Sequence, residues 1–377
     1  MKLIEIKGIG IPNKGAELML HAILQHFRDR GDDVRFVVEP TSDFLARARY
    51  GLLQKSSFVV GGRPVDMSGP LALVPRKLRR QYGVILDREI DVILDASGFA
   101  YGDQWGTQKA KVRLGKNIAK WKRQGKKVIL LPQAFGPFKK PGMKEVMEEI
   151  LHHADLVFAR DRSSFSHLEE IAPGKAVMCP DFTNIVRLPR NETSEHLTGR
   201  TCIIPNSKMI TMGRTTLDDY ANALAKAVSI LMSQGKDPFI LIHEGKGDLE
   251  VANAVVSRLS SSIEIVSPDD ALEIKHLIGK CSLVVSARFH GLVSALSQGV
   301  PVIAMGWSHK YEELLHDYGV HDLLADPNSP ADLEAKIRAI LQPGTYSEIA
   351  STIAANIDNQ KEKVRDMWRL VDVAVSH

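Results

Sequence analysis

The sequence predicts an α/β protein built from two doubly wound, mostly parallel sheets. Three observations carry this. Short apolar, β-branched runs alternate with amphipathic helical stretches through both halves of the chain. At 377 residues the chain is long for a single domain. A polar stretch, LPRNETSEHLTG over 188–199, interrupts the alternation near the middle. The expected organisation is a first domain over 1–187, a linker over 188–199 and a second domain over 200–342. A closing helix over 343–377 can cross back onto the first domain.

Composition narrows the function. Apolar content of 44% and charged content of 25% are those of a globular protein with a water-facing surface. The net charge of +4 suits anionic substrates or a weak preference for a membrane surface, and is far from a nucleic-acid footprint. Cys179, Cys202 and Cys281 lie far apart beside strand-like runs and read as buried reduced thiols. With no Cys/His cluster of zinc spacing, a structural metal is not expected. The opening MKLIEIKGIG reads as a strand rather than a signal segment, and no apolar run nears the roughly 18 residues of a membrane span. The expectation is a cytoplasmic protein, with peripheral contact at the inner face of the membrane and homo-oligomerisation both open.

The first strand is Lys2 to Lys7, followed by the loop Gly8-Ile9-Gly10-Ile11-Pro12-Asn13-Lys14-Gly15-Ala16-Glu17 and a helix ending near Gly31. A strand, a Gly-rich turn and a helix make a cradle for an anion, yet the spacing is neither GxGxxG nor a Walker loop, so a tight structural turn is an equal reading. Val34 to Glu39 is the second strand. Ser42 to Tyr82 reads as an irregular helix-and-loop insertion, whose basic cluster Arg76-Lys77-Leu78-Arg79-Arg80 is most simply a solvated face. Ile90 to Leu94 is a strand ending on Asp95-Ala96-Ser97-Gly98-Phe99-Ala100-Tyr101, and with Asp103 and Trp105 this composition suits a sugar platform. Lys109 to Gln124 reads as one basic amphipathic helix. Lys126 to Leu131 is the next strand, and Leu156 to Ala159 another, ending on Arg160-Asp161-Arg162-Ser163. Asp161 and Ser163 are natural helix caps, while Arg160 stands where a guanidinium can face a ligand. Ala176 to Cys179 closes this half, with Asp181 either a general base or a cap.

In the second half, Thr201 to Pro205 is a strand, Leu217 to Met232 a helix, and Phe239 to Ile242 a strand ending on His243 and, further on, Asp248. By themselves those two are a turn residue and a helix cap. A short strand at Ile263 to Val266 precedes the most informative stretch, CSLVVSARFHGLVSALSQGVPVIAMGWSHK over 281–310. Ser282 to Val285 reads as a buried parallel strand, Leu292 to Gln298 as a helix closed by Gly299, and Val300 to Met305 as the next strand. Ligands of open α/β sheets gather where strands end and helices begin. There Arg288 offers a two-pronged donor, His290 a proton near neutral pH, and the helix after Gly291 its opening N–H groups.

These residues resemble a known signature. Arg288-Phe289-His290-Gly291, Ala295, Gly299-Val300-Pro301 and Lys310 are similar to the C-terminal signature of the polysaccharide pyruvyl transferase family. Asn13-Lys14-Gly15-Ala16-Glu17 resembles the family's Gly-Asn-x-Gly-(Asp/Ala)-Glu opening, with Pro12 in place of the first Gly. Asp95 to Gly102, with Gly98, is similar to its Gly-rich turn. Gln133-Ala134-Phe135-Gly136-Pro137 resembles Gln-Ser-x-Gly-Pro, Ala134 replacing the Ser. Arg160 to Ser164 resembles Arg-Asp-x-x-Ser, and His243 with Asp248 resembles a His…Asp element. The resemblance implies a GT-B-like pair of Rossmann-like domains facing across a cleft, acceptor on the N-terminal side and donor on the C-terminal side.

It also implies transfer of a pyruvyl group from phosphoenolpyruvate to two hydroxyls of a sugar of a polysaccharide or of its lipid-linked or nucleotide precursor, with phosphate released. Phosphoenolpyruvate is then a co-substrate, and no cofactor, metal or nucleic acid is expected. His290, with His243 and His309 behind it, is the expected acid, and Asp181, Asp103 or Asp95 the base. Arg288, Arg160, Gly291, Asn13, Gly15, Glu17, Gly98 and Lys310 are the expected binding residues. The alternatives are a nucleotide-sugar GT-B glycosyltransferase or epimerase, with Glu312 or Glu313 on a ribose, and a non-catalytic sugar-binding protein on the same fold.

Overall fold

The computed structural model describes residues 1–377 apart from 11–12, 41–43, 61–62, 190–194, 307, 328 and 377; the side chains of 59, 60, 63 and 64 are outside that description. Part of the expected linker, Ser42 and Trp307 therefore lie outside the described residues. The chain forms two compact units. One is Met1–Ile11, Met19–Phe182 and Lys363–His377, and the other is Pro12–Leu18 and Thr183–Glu362.

The first unit is built on the parallel strands β1 (Lys2–Lys7), β2 (Val34–Val38), β3 (Leu53–Lys55), β4 (Val84–Ile85), β5 (Val92–Asp95), β6 (Lys127–Phe135), β7 (Leu156–Ala159) and β8 (Ala176–Met178). Their order across the sheet is β8-β7-β6-β5-β1-β2-β3-β4, and the short strand Phe99–Tyr101 pairs with the end of β6. Central strands such as β5 are buried at every residue, which is why they read as continuous apolar runs instead of alternating ones. Alternation does operate in β1. Ile4 and Ile6 point to one face, while Leu3, Glu5 and Lys7 point to the other, towards Trp121.

Two expectations change here. The stretch Lys109 to Gln124 is not one helix: helix Thr107–Ala110 runs into a π-turn at Lys111–Gly115, and helix Ile118–Arg123 follows. Gly115 is the reason on hand, since a Cβ there would come 3.1 Å from Val146 Cγ1, so the backbone lies against the neighbouring helix. The stretch Ser42 to Tyr82 is less irregular than its composition suggests. It holds helix Phe44–Arg49, strand β3, an antiparallel hairpin of Ser57–Val60 with Arg63–Asp66, and helix Arg76–Gln81. The end of the closing helix, Pro343–Ser376, belongs to this unit, where Trp368 stacks on His26 at 4.0 Å and meets Phe27 and Phe182 edge-on.

The second unit has a sheet of six parallel strands: β9 (Thr201–Ile204), β10 (Pro238–Leu241), β11 (Ile265–Val266), β12 (Leu283–Ser286), β13 (Val302–Met305) and β14 (Leu324–Ala325), ordered β11-β10-β9-β12-β13-β14. The strand order reverses between β9 and β12, the crevice where such sheets hold ligands. Leu197, read from sequence as linker, is fully buried in this unit's core. The two-residue strand β14 was not visible in the sequence. Both sheets have parallel, doubly wound Rossmann-like form, and no helix among the described residues is long and apolar enough to cross a membrane.

Candidate active site

β12 ends on Ser286, and the next residues are held by their backbone. Asn206 Nδ2 donates to the Ala287 carbonyl at 2.7 Å and Tyr311 OH donates to the same oxygen at 2.9 Å. The Arg288 N–H donates to Ser286 Oγ at 3.0 Å, so the strand turns sharply into helix Phe289–Leu296 with Arg288 as its N-cap. Gly291 lies in the first turn because a Cβ there would press Ser286 Oγ at 3.0 Å and Ile204 Cδ1 at 3.1 Å.

Arg288 is 8% exposed, and its guanidinium meets carboxylates. Nε donates to Asp248 Oδ2 at 2.9 Å, Nη2 to Asp248 Oδ1, and Nη1 to Glu244 Oε2. Asp248, wholly buried, also accepts from the Ser207 N–H at 3.0 Å and the Glu244 N–H at 3.1 Å. Burial alone would make Arg288 easier to deprotonate, but Asp248 and Glu244 outweigh it and hold it more firmly charged than usual. Arg288 thus ties the end of β12 to the end of β10 and the start of helix Gly245–Val256. The two-pronged donor read from sequence is present, with its prongs on Asp248.

The N-terminal loop joins the same cluster. Asn13 Nδ2 donates to Glu244 Oε1 at 2.9 Å, and Asn13 Oδ1 accepts from the Ala16 N–H at 2.9 Å, capping helix Lys14–Asp29. Buried Glu17 takes Lys14 Nζ at 2.9 Å, and Lys14 Nζ also donates to the Asp269 carbonyl at 2.5 Å. Gly15 has a different duty: a Cβ at that position would stand 2.2 Å from His290 Nδ1. The glycine is therefore the space in which the His290 ring sits. Two motifs 275 residues apart in sequence numbering, Gly15 and His290, pack on one another.

His243, at the end of β10, is buried; burial first, and then the Arg288, His290 and Lys14 charges, drive its imidazole well below the usual histidine range. At neutral pH it is uncharged, a hydrogen-bonding group and not a proton donor of imidazolium type. Lys310 Nζ lies 5.1 Å from the Phe289 ring centroid and 5.3 Å from that of Tyr311. Glu244, Asn206 and Tyr311 were missed in the sequence, where each reads as an ordinary turn or helix residue.

Arg160, Asp181 and Gly98 belong to the first unit. Arg160 Nη1 donates to Asp181 Oδ2 at 3.1 Å, both residues being buried, so the expected base is engaged by the expected donor ligand. Asp95 accepts Ser97 Oγ and Tyr101 OH, each at 2.5 Å, and Gln133 Nε2 at 3.3 Å. Burial and the Asp95 charge push the Tyr101 phenol well above its usual range. Asp103 takes the Lys139 and Lys140 N–H groups, at 2.9 Å each, and so fastens a turn. Gly98 has φ of +67°, a backbone requirement, and a Cβ there would lie 3.4 Å from Met19 Cε.

A family model described as polysaccharide pyruvyl transferase matches residues 13–309, a span that takes in the Asn13 loop, Arg160, His243 and Arg288-Phe289-His290-Gly291. The chain belongs to the polysaccharide pyruvyl transferase family. It is a transferase of that family, and a saccharide acceptor goes with membership. It is 18% identical over 299 residues to the amylovoran biosynthesis protein AmsJ of Erwinia amylovora, covering 73% of this chain and 70% of that protein. In fold it is similar to the UDP-GlcNAc 2-epimerase of Neisseria meningitidis bound to UDP-GlcNAc, with TM-score 0.63, 9% identity, and coverage of 98% of this chain and 99% of that one. A glycosyltransferase from Rickettsia africae gives TM-score 0.59 at 14% identity, covering 99% and 98%. These likenesses establish the GT-B-type fold of the pyruvyl transferase.

Proposed function

We propose that this pyruvyl transferase takes phosphoenolpyruvate as donor and forms a cyclic pyruvate ketal on a saccharide during polysaccharide biosynthesis, the process named for its relative AmsJ. The observation that carries the reading is Arg288 and His290 together at one helix start, with the carboxylate of Glu244 on Arg288 Nη1. Glu244 is 29% exposed while Asp248 is fully buried. The Asp248 pair is the fixed support, and the Glu244 carboxylate is the one a donor carboxylate can replace. The opening N–H groups of helix Phe289–Leu296 suit the donor's phosphate.

The chemistry balances as follows. A proton adds to the methylene carbon of phosphoenolpyruvate, making a methyl group as positive charge develops at C2. One saccharide hydroxyl adds to C2, the C2–O bond to phosphate breaks, and a second hydroxyl closes the ketal. Of the two hydroxyl protons, one replaces the proton used at the methylene carbon and one leaves with phosphate. His290, packed into the space at Gly15, is the group assigned to the methylene proton. His243, neutral and buried, serves to hydrogen-bond. Phosphoenolpyruvate is a metabolite of the cytoplasm, which is where the reaction is placed.

The nucleotide-sugar reading rests on fold likeness at 9% and 14% identity, which carries no chemistry with it. The test is phosphate release from phosphoenolpyruvate by the purified chain with saccharide acceptors, followed by mass analysis of the acceptor. Acceptor-dependent phosphate release with a carboxyethylidene increment is expected, and His290→Gln should remove it. Release of a nucleotide from a nucleotide sugar, with phosphoenolpyruvate inert, would overturn the reading.

A further inference from the structure

The crossover between β3 and β4, at one edge of the first unit's sheet, has an unusual surface. From Ser56 to Tyr82 the sequence has five basic residues against one acidic residue, Asp66; Arg76 and Lys77 are exposed, Arg80 is half-buried, and Arg79 is buried against Glu89. It is also where apolar side chains face water. Leu73 is 89% exposed, Tyr82 72% and Phe58 48%, with Val65 and Leu78 exposed beside them. These are large apolar groups that folding leaves outside although a sheet edge is at hand to cover them.

The local geometry makes the exposure systematic. Phe58 and Val65 are direct partners across the hairpin, so both stand on one face of it, and Ser57, on the other face, is buried. The hairpin base is fixed by Ser56, whose Oγ meets Ser68 Oγ at 2.7 Å. In helix Arg76–Gln81 the usual polarity is inverted. Arg79 is buried and donates to Glu89 Oε2 at 2.6 Å and to the Val74 carbonyl at 3.2 Å. Leu78 and Tyr82, four residues apart and so on one face, point outward next to exposed Lys77. Arg76 pairs with Glu89 at 3.1 Å and is itself largely exposed. The pair of buried Arg79 with Glu89 thus holds a face of leucine, tyrosine and lysine towards the solvent.

We infer that this face, which carries Phe58, Val65, Leu73, Lys77, Leu78 and Tyr82, docks the protein on an anionic lipid bilayer, with Leu73, Leu78, Tyr82 and Phe58 entering the boundary between headgroups and acyl chains. Charge selects the occupant. A second copy would bring the same positive stretch against this one, and a polyanion in water gives no place for the apolar side chains. An anionic bilayer satisfies both, with headgroup charge for the cations and an apolar layer beneath. The inference stands independently of the donor chemistry.

The experiment is cosedimentation of the purified chain with vesicles of phosphatidylcholine alone and with about 30 mol% phosphatidylglycerol, at low and high salt. The comparison protein is the double variant Leu73→Ser with Tyr82→Ser; both sites are exposed, so its melting curve should match the unmutated one. Expected is binding at least about tenfold stronger to anionic vesicles, weakened by salt and by the double variant. Absence of vesicle binding, equal binding by the double variant, or a self-association that the double variant abolishes would each overturn the inference.

Discussion

Both units bury charge, and they do so to different ends. In the first, Lys7 lies 3.0 Å from Glu5 and 2.5 Å from Glu39, and Lys55 lies 2.8 Å from Glu5 and 2.9 Å from Asp87. The Trp121 indole closes this line, donating to Asp87 Oδ1 at 3.0 Å. Burial would raise the Asp87 carboxyl, but Lys55 and Lys126 outweigh it and hold it well below the ordinary carboxylate range. In the second unit, Arg288 meets Asp248 and Glu244 at a strand end, beside His290 and a helix start. Paired burial by itself marks a structural element. What sets the second cluster apart is its place at a strand end and helix start, and a histidine whose ring space is reserved by a glycine.

The contrast can be broken by exchanging the outcomes of substitutions at four positions. The largest effect belongs to Arg288→Ala, which should reduce phosphoenolpyruvate turnover by about a thousandfold or more. It also leaves Asp248 buried without its guanidinium, at a cost of about 3–5 kcal/mol measured by urea unfolding. Arg288→Lys keeps a cation and loses the fork, so it should retain most stability and still lose turnover. Next is Lys55→Met in the first unit. It should cost about 3 kcal/mol of stability while turnover per folded molecule stays within about twofold. If Lys55→Met abolished turnover in folded protein, the division between structural and functional clusters would fail.

Gly15→Ala is a sharper and smaller probe. The added methyl would have to displace His290, so kcat should fall about 10- to 100-fold with little change in melting temperature. Normal kcat would remove His290 from proton transfer. The smallest effect concerns pH. Burial and the Arg288 charge lower the folded-state pKa of His243 below its ordinary 6.5. Between those two values the unfolded chain binds a proton that the folded chain does not, so stability rises with pH through this window. It is lost as pH falls below about 6.5, with a slope of at most about 1.4 kcal/mol per pH unit. His243→Asn should flatten that slope in urea titrations from pH 5 to 7, and an unchanged slope would assign the dependence elsewhere.

The fold was largely readable because its strands are short, apolar and separated by helices with clear stops. The end of β12 was readable for a related reason: Arg288, His290 and Gly291 sit in a row at one strand end. What surrounds them was less so. Asp248 stood out only through its resemblance beside His243, Glu244 read as an ordinary turn residue, and their pairing with Arg288 from a different strand end leaves no local pattern. Asp181 read as a base or a cap, and its hydrogen bond from Arg160 is not marked by any local pattern in the sequence. The buried line of Glu5, Lys7 and Lys55 was equally hidden, since charged residues alternating along strands read as a solvent face. Helix Arg76–Gln81 misled in the opposite sense: a basic run suggested a solvated face, whereas Arg79 is buried and Leu78 exposed.

The most direct measurement is ligand-induced stabilisation of the purified chain, comparing phosphoenolpyruvate, UDP-GlcNAc and inorganic phosphate, with Arg288→Lys alongside. At about 100 times its dissociation constant a specific ligand adds roughly 2.7 kcal/mol to the folded state. The account predicts that phosphoenolpyruvate gives this stabilisation beyond that of phosphate, that UDP-GlcNAc does not, and that Arg288→Lys loses it. Stabilisation by UDP-GlcNAc with no response to phosphoenolpyruvate would contradict it.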